Sequence, residues 1–114
     1  MRVTTDFWVS ALVRRIFADG GFAAVVRRGA TEAGAVFVVL RDRMGGVTLF
    51  GPAPQTSYDA AKPDERFFVR HELDGESALD KFLEKEGRFD PDIWVIEVEP
   101  GQGGIERLLV LSDQ

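Results

Sequence analysis

An α+β fold, with two helices and a mostly antiparallel sheet of four to six strands, is predicted by three features of the 114-residue chain. Two stretches, one at the start and one past the middle, repeat their apolar residues at helical spacing. The rest is dominated by short runs rich in Val, Ile and Phe, residue types that fit a pleated, half-buried surface. These runs follow one another across turns rather than helical crossovers, which makes sequential neighbours antiparallel. The predicted order is α-β-β-β-β-α-β-β in a single domain, 1–114.

The first helix is expected at about 5–19. Thr4 and Thr5 can cap it, and Asp6 suits the positive end of its dipole. Phe7, Trp8, Ala11, Leu12, Arg15 and Ile16 form one stripe, with Asp6, Ser10 and Arg14 on another side. Gly20-Gly21 ends the helix. A strand over 22–28 follows, then a small-residue loop at 29–34 and the central strand at 36–40, the strongest strand signal in the chain. Pairing these two strands through the loop sets residue 27 opposite 36 and residue 25 opposite 38.

A turn at Met44-Gly45 or Gly45-Gly46 brings the chain back as a strand over 47–50. In that register Val25, Val36, Val38, Leu40 and Leu49 share one face, and Phe22, Val26, Phe37, Val39 and Phe50 share the other. Both faces are apolar at their middle, so the sheet needs cover on both sides, from helices, further strands or a second copy.

Gly51-Pro52-Ala53-Pro54 stops this strand, because proline offers no N–H to the ladder. The 52–65 stretch then reads as a long loop, a kind of segment that often carries function. A strand resumes at 66–73 and turns at Asp74-Gly75. The second helix is expected at 77–86, with Ala78, Leu79, Phe82 and Leu83 inward, Asp80, Lys81, Glu84 and Lys85 outward, and Gly87 as its cap. Asp90-Pro91-Asp92 makes a turn, 93–99 is a strand with Trp94, Ile96 and Val98 on one face, and 105–111 reads as the last strand.

Composition restricts the function classes. The net charge is −5, against the basic surface that nucleic-acid binding needs. It is uneven: residues 1–58 carry +3 and residues 59–114 carry −8. A basic first half could meet an acidic partner or the second half of another copy. There is no cysteine, which removes disulfides and thiolate chemistry and fits a cytoplasmic location. No stretch approaches the roughly 20 apolar residues of a membrane helix, and none reads as a signal peptide. No membrane partner and no cofactor are expected.

His71 is the sole histidine, which rules out a two-histidine metal site within one chain. It sits between Arg70 and Glu72 near a strand end. Ser57 is the best nucleophile candidate, yet no Gly-x-Ser-x-Gly elbow surrounds it. Asp90 and Asp92 lack the run of ligands of a calcium loop, and read as acids that hold a proline turn. Gly101-Gln102-Gly103-Gly104 has no lysine or hydroxyl after it, as phosphate binding would want. Trp8 and Trp94 lie on apolar stripes and read as core. Arginines outnumber lysines eleven to three, and arginine forks suit carboxylate and phosphate.

Four strings occur in order along the chain: Asp6-Phe7-Trp8-Val9-Ser10-Ala11-Leu12-Val13-Arg14-Arg15; Gly20-Gly21-Phe22-Ala23-Ala24-Val25; Leu49-Phe50-Gly51-Pro52-Ala53-Pro54-Gln55-Thr56-Ser57-Tyr58; and Phe89-Asp90-Pro91-Asp92-Ile93-Trp94-Val95-Ile96-Glu97. Together they resemble domain-of-unknown-function family 1491, short proteins of alphaproteobacteria. The resemblance covers nearly the whole chain. It implies a small bacterial protein and brings no activity, cofactor or catalytic residue with it.

Two functional readings follow. The first is a non-catalytic interaction or regulatory module that self-associates as a homodimer, supported by the lack of a catalytic constellation and by the doubly apolar sheet. The second is a binding protein for a small molecule or anion. Its site would be the 51–58 loop, where Pro52 and Pro54 stiffen the chain and Gln55, Thr56, Ser57 and Tyr58 present hydrogen-bonding groups. Arg41, Arg66 and Arg70 would supply the charge.

Overall fold

The computed structural model describes residues 3–54 and 66–112. It contains α1 (Thr5–Ala18), β1 (Phe22–Arg27), β2 (Val36–Arg41), β3 (Val47–Pro52), β4 (Phe67–Leu73), α2 (Glu76–Phe89), β5 (Trp94–Glu99), a 3-10 turn (Ile105–Arg107) and β6 (Val110–Leu111). The fold is α+β, with two helices and one six-stranded sheet in the order β1-β5-β2-β3-β4-β6. The sheet is mixed. β1–β5, β2–β3 and β3–β4 are antiparallel, whereas β2–β5 and β4–β6 are parallel.

The expected β1–β2 hairpin does not form. β5 lies between the two strands, with Val25 opposite Ile96 on one side and Val38 beside Ile96 on the other. The reason is apolar content. Trp94, Val95, Ile96 and Val98 of β5 are all buried, while β1 has only Ala23 buried and ends in exposed arginine. The 29–34 loop, no longer a hairpin turn, packs across the start of β5 and the start of α1. Ala30 N–H donates to Asp92 C=O (3.0 Å), the Trp94 indole donates to Ala30 C=O (2.8 Å), and Asp6 N–H donates to Thr31 C=O (2.9 Å).

The β2–β3 turn also differs from expectation. Arg41 pairs with Val47, leaving five residues in the loop rather than an even number. Asp42 holds that loop, its carboxylate accepting from Met44 N–H and Gly46 N–H, and Gly45 takes a positive φ of 87°. Because side chains alternate with period two, the odd loop reverses the expected partnership of faces. Val36 and Val38 share a face with Phe50, and Phe37 and Val39 share one with Leu49.

Both faces are covered within one chain. α1 lays Val9, Leu12 and Ile16 on Val36, Val38, Phe50, Trp94, Ile96 and Val98, with Ile105 and Leu109 closing the same layer. α2 lays Leu79, Phe82 and Leu83 on Phe37, Val39, Leu49 and Val95. The α1 stripe is rotated from the expected one, with Val9 buried and Phe7 64% exposed. Thr4 caps α1 by accepting from Phe7 N–H (3.2 Å). α2 continues past Gly87 to Phe89, and the expected last strand is instead a 3-10 turn with a two-residue β6.

Candidate functional site

On the α2 side of the sheet a cleft of about 320 Å³ opens between the helix and the ends of β3 and β4. Ala35, Phe37, Ile93, Pro52 and Phe82 give it apolar walls, and His71, Glu86 and Asp90 bring polar groups to it. Each wall has a local cause. Phe82 and Glu86 are four residues apart on α2, so they face the same way one turn apart. His71 projects from the α2 face of β4, with its ring 5.1 Å from that of Phe82. Asp90 ends α2, and one of its carboxylate oxygens accepts Asp92 N–H (3.0 Å).

Gly51 makes the opening possible. A Cβ at this position would stand 3.0 Å from a Phe37 ring carbon and 3.6 Å from His71 Nε2. A side chain here would project into the space between Phe37 and His71. Among the described residues, neither the His71 imidazole nor the Glu86 carboxylate has a hydrogen bond or ion pair. The cleft therefore has apolar walls and two polar groups with free valence, the general constitution of a small-molecule site.

The residues singled out from sequence are distributed differently. Gln55, Thr56, Ser57 and Tyr58 lie outside the described residues. Arg41 and Arg70 lie on opposite faces of the sheet. Arg41 is on the α2 side, bonded to Glu76 (2.6 Å and 3.1 Å) and to Glu97 (3.1 Å). Glu76, more than Glu97, raises the Arg41 pKa above its ordinary value, against an opposing contribution from burial. Arg41 in turn holds the Glu76 carboxyl below its usual range. Arg70 is on the α1 side, stacked over Phe50 (5.4 Å to the ring centroid) and bonded to Glu106 (3.1 Å). The two arginines do not converge on one point.

The arginine excess has a largely internal use. Arg28 bonds Asp6 (2.9 Å) and stacks over Trp94, Arg66 stacks over Trp8 and donates to Thr5 Oγ1, and Arg27 donates to Pro91 C=O (2.9 Å). Among the described residues, no three His, Cys, Asp or Glu side chains come together as a metal-holding group. Trp94 is wholly buried and Trp8 stacks on Phe68, as core aromatics do. Sequence reasoning singled out His71 and Asp90 but missed Glu86. Continuing the 78, 79, 82, 83 stripe by one turn through Gly87 would have placed Glu86 above Phe82.

This is a small α+β scaffold with a mixed sheet and a helix on each face, and its family is defined by sequence. The chain belongs to the family described as "Protein of unknown function (DUF1491)", whose model matches residues 3–105. It is similar along its length to a protein of A. tumefaciens solved in solution. The two are 46% identical, the match covers 100% of this chain and 98% of that one, and the TM-score is 0.80. It is also similar to DUF1491 family proteins from Caulobacter crescentus CB15. A crystal structure is 37% identical (97% of this chain, 98% of that one, TM-score 0.73). An NMR structure is 38% identical (97% of each chain, TM-score 0.73). No curated relative matches the chain.

Proposed function

We propose that the protein is a non-catalytic interaction module of the cytoplasm that binds a second copy of itself through the β1 edge. One observation carries this reading: the edge strand β1 bears exposed apolar side chains on both of its faces. Phe22 is 52% exposed, Val26 53% and Val25 37%, and Phe17 at the end of α1 packs edge-to-face on Phe22 (5.5 Å) while remaining half exposed. Exposed apolar patches of this kind mark interaction surfaces.

Charge favours a second copy as the occupant. One end of β1 carries Arg27, followed by Arg28 in its pair with Asp6, and the other lies beside Glu99, which pairs with Phe22. An antiparallel approach about a two-fold axis sets the basic end of each copy against the acidic end of the other. The register shift between Val25 and Arg27 interrupts the edge ladder, so side-chain burial rather than a long continuous sheet makes the contact.

Sedimentation velocity tests the reading. A modest interface of about −8 kcal/mol gives a dimer at micromolar concentration. Wild type is expected to sediment as a dimer there, and Phe22→Glu as a monomer with an unchanged circular-dichroism spectrum. A monomeric wild type at about 100 µM removes the proposal, since that lies far above the corresponding Kd.

A further inference from the structure

The geometry points to a second, independent site: the cleft between α2 and the β3–β4 end of the sheet binds a small organic cation, an ammonium group on a compact apolar body. The volume of about 320 Å³ lies at the lower end of the range for small-molecule sites, which sets the size of the ligand. The walls set its body. Phe37, Phe82 and Ile93 offer aromatic and aliphatic contact, and the missing side chain at Gly51 leaves the place where that body would lie.

The polar groups set its charge. Glu86 and Asp90 both line the cleft and are one helical turn apart at the end of α2. The Glu86 carboxylate has no partner among the described residues, and Asp90 uses only one oxygen, on Asp92 N–H. Two carboxylates beside an apolar wall favour a ligand that brings donors and positive charge, because charge-assisted hydrogen bonds are shorter and stronger than neutral ones. An ammonium near Phe82 or Phe37 also gains from the ring faces.

Arg27 is a basic residue close to the last turn of α2. It lies against Gly87 and donates to Pro91 C=O, and it is not among the residues lining the cleft. His71 supplies either a donor or an acceptor to the body of the ligand. This inference does not depend on the β1 edge: no β1 residue lines the cleft, and a monomeric protein would still possess it.

The test uses three probes of one shape: benzylamine, benzyl alcohol and benzoate. Each is titrated into isotope-labelled full-length protein at neutral pH, and amide and imidazole NMR shifts are followed. Benzylammonium is expected to shift His71, Gly51, Phe82 and Glu86 with a Kd on the order of 1 mM, an ordinary strength for so small a ligand. It should bind about tenfold more tightly than benzyl alcohol, with benzoate weakest. Glu86→Gln should weaken benzylammonium about fivefold or more and leave benzyl alcohol unaffected. Gly51→Ala should weaken both by filling the cradle.

Three results overturn the inference: benzylammonium that leaves the cleft signals unmoved up to about 10 mM, benzoate binding as well as benzylammonium, or a folded Glu86→Gln that binds benzylammonium like wild type. Because Glu86→Gln changes a half-exposed side chain with no partner among the described residues, it keeps the test open even if Gly51→Ala does not fold.

Discussion

Arg41 shows how little a residue's type reveals without its neighbours. From sequence it is a strand-end arginine free to meet an anion. In the fold it is clamped by Glu76 and Glu97, partners 35 and 56 positions away. The carboxylates it meets belong to the chain itself. Replacing Arg41 by Ala is expected to return the Glu76 pKa upward toward its ordinary value of 4.5, read from the side-chain carboxyl shift in an NMR pH titration. The sign for stability follows from that depression. The pair's contribution is present above the unfolded carboxyl pKa and is lost as pH falls through the lower folded value. Wild type and Arg41→Ala should therefore differ at neutral pH and converge in acid, with a small difference because both groups are well exposed. The arginine excess was legible in the sequence, and the identities of the partners were not, because ion pairs between distant positions depend on topology that no local pattern encodes.

At the scale of elements, helix and strand positions were readable from local chemistry, and their rotations and ends were not. Helical spacing located α1, and Thr4 supplied the cap the sequence suggested. The stripe is turned because Thr5 is anchored: its hydroxyl donates to Gly34 C=O (3.1 Å) in a buried position, and this fixes which side of α1 meets the sheet. Val9, Leu12 and Ile16 then face inward and Phe7 outward. Ile16→Ala should cost about 2–5 kcal/mol in denaturant unfolding, as truncation of a wholly buried aliphatic side chain does. Phe7→Ala should change stability by no more than about 0.5 kcal/mol. A large loss at Phe7 would contradict the rotation. α2 passed its expected end because Gly87 does not take the left-handed φ of a terminating glycine, and the helix is capped at Asp90 instead.

For the molecule as a whole, apolar patterning and the order of elements along the chain gave the fold class, α+β with two helices and one sheet, and left open what covers the sheet. The doubly apolar character of the sheet was also legible, and the two helices supply its cover. What stayed hidden was the strand order in space. Hairpin logic assigns each strand to its sequence neighbour, whereas here the late, apolar β5 inserts between the early strands β1 and β2. The candidate cleft inherits that difficulty, since Ala35, Gly51, His71, Glu86 and Ile93 come together only after β2, β3, β4, α2 and β5 are arranged.

That insertion of β5 between β1 and β2 has a consequence for the protein's manufacture. A chain emerging from the ribosome presents α1 and β1 first, yet β1 has no strand to join until Glu99 has left the exit tunnel. α1 meanwhile lacks Trp94, Ile96 and Val98, half of the surface it rests on. Folding through such distant pairings is slow, and the nascent chain exposes apolar residues while it waits. A fragment of residues 1–90 should therefore show no cooperative thermal transition and should be cut rapidly by protease, although it contains both helices and four of the six strands. The native sheet forms only once β5 is available to both β1 and β2.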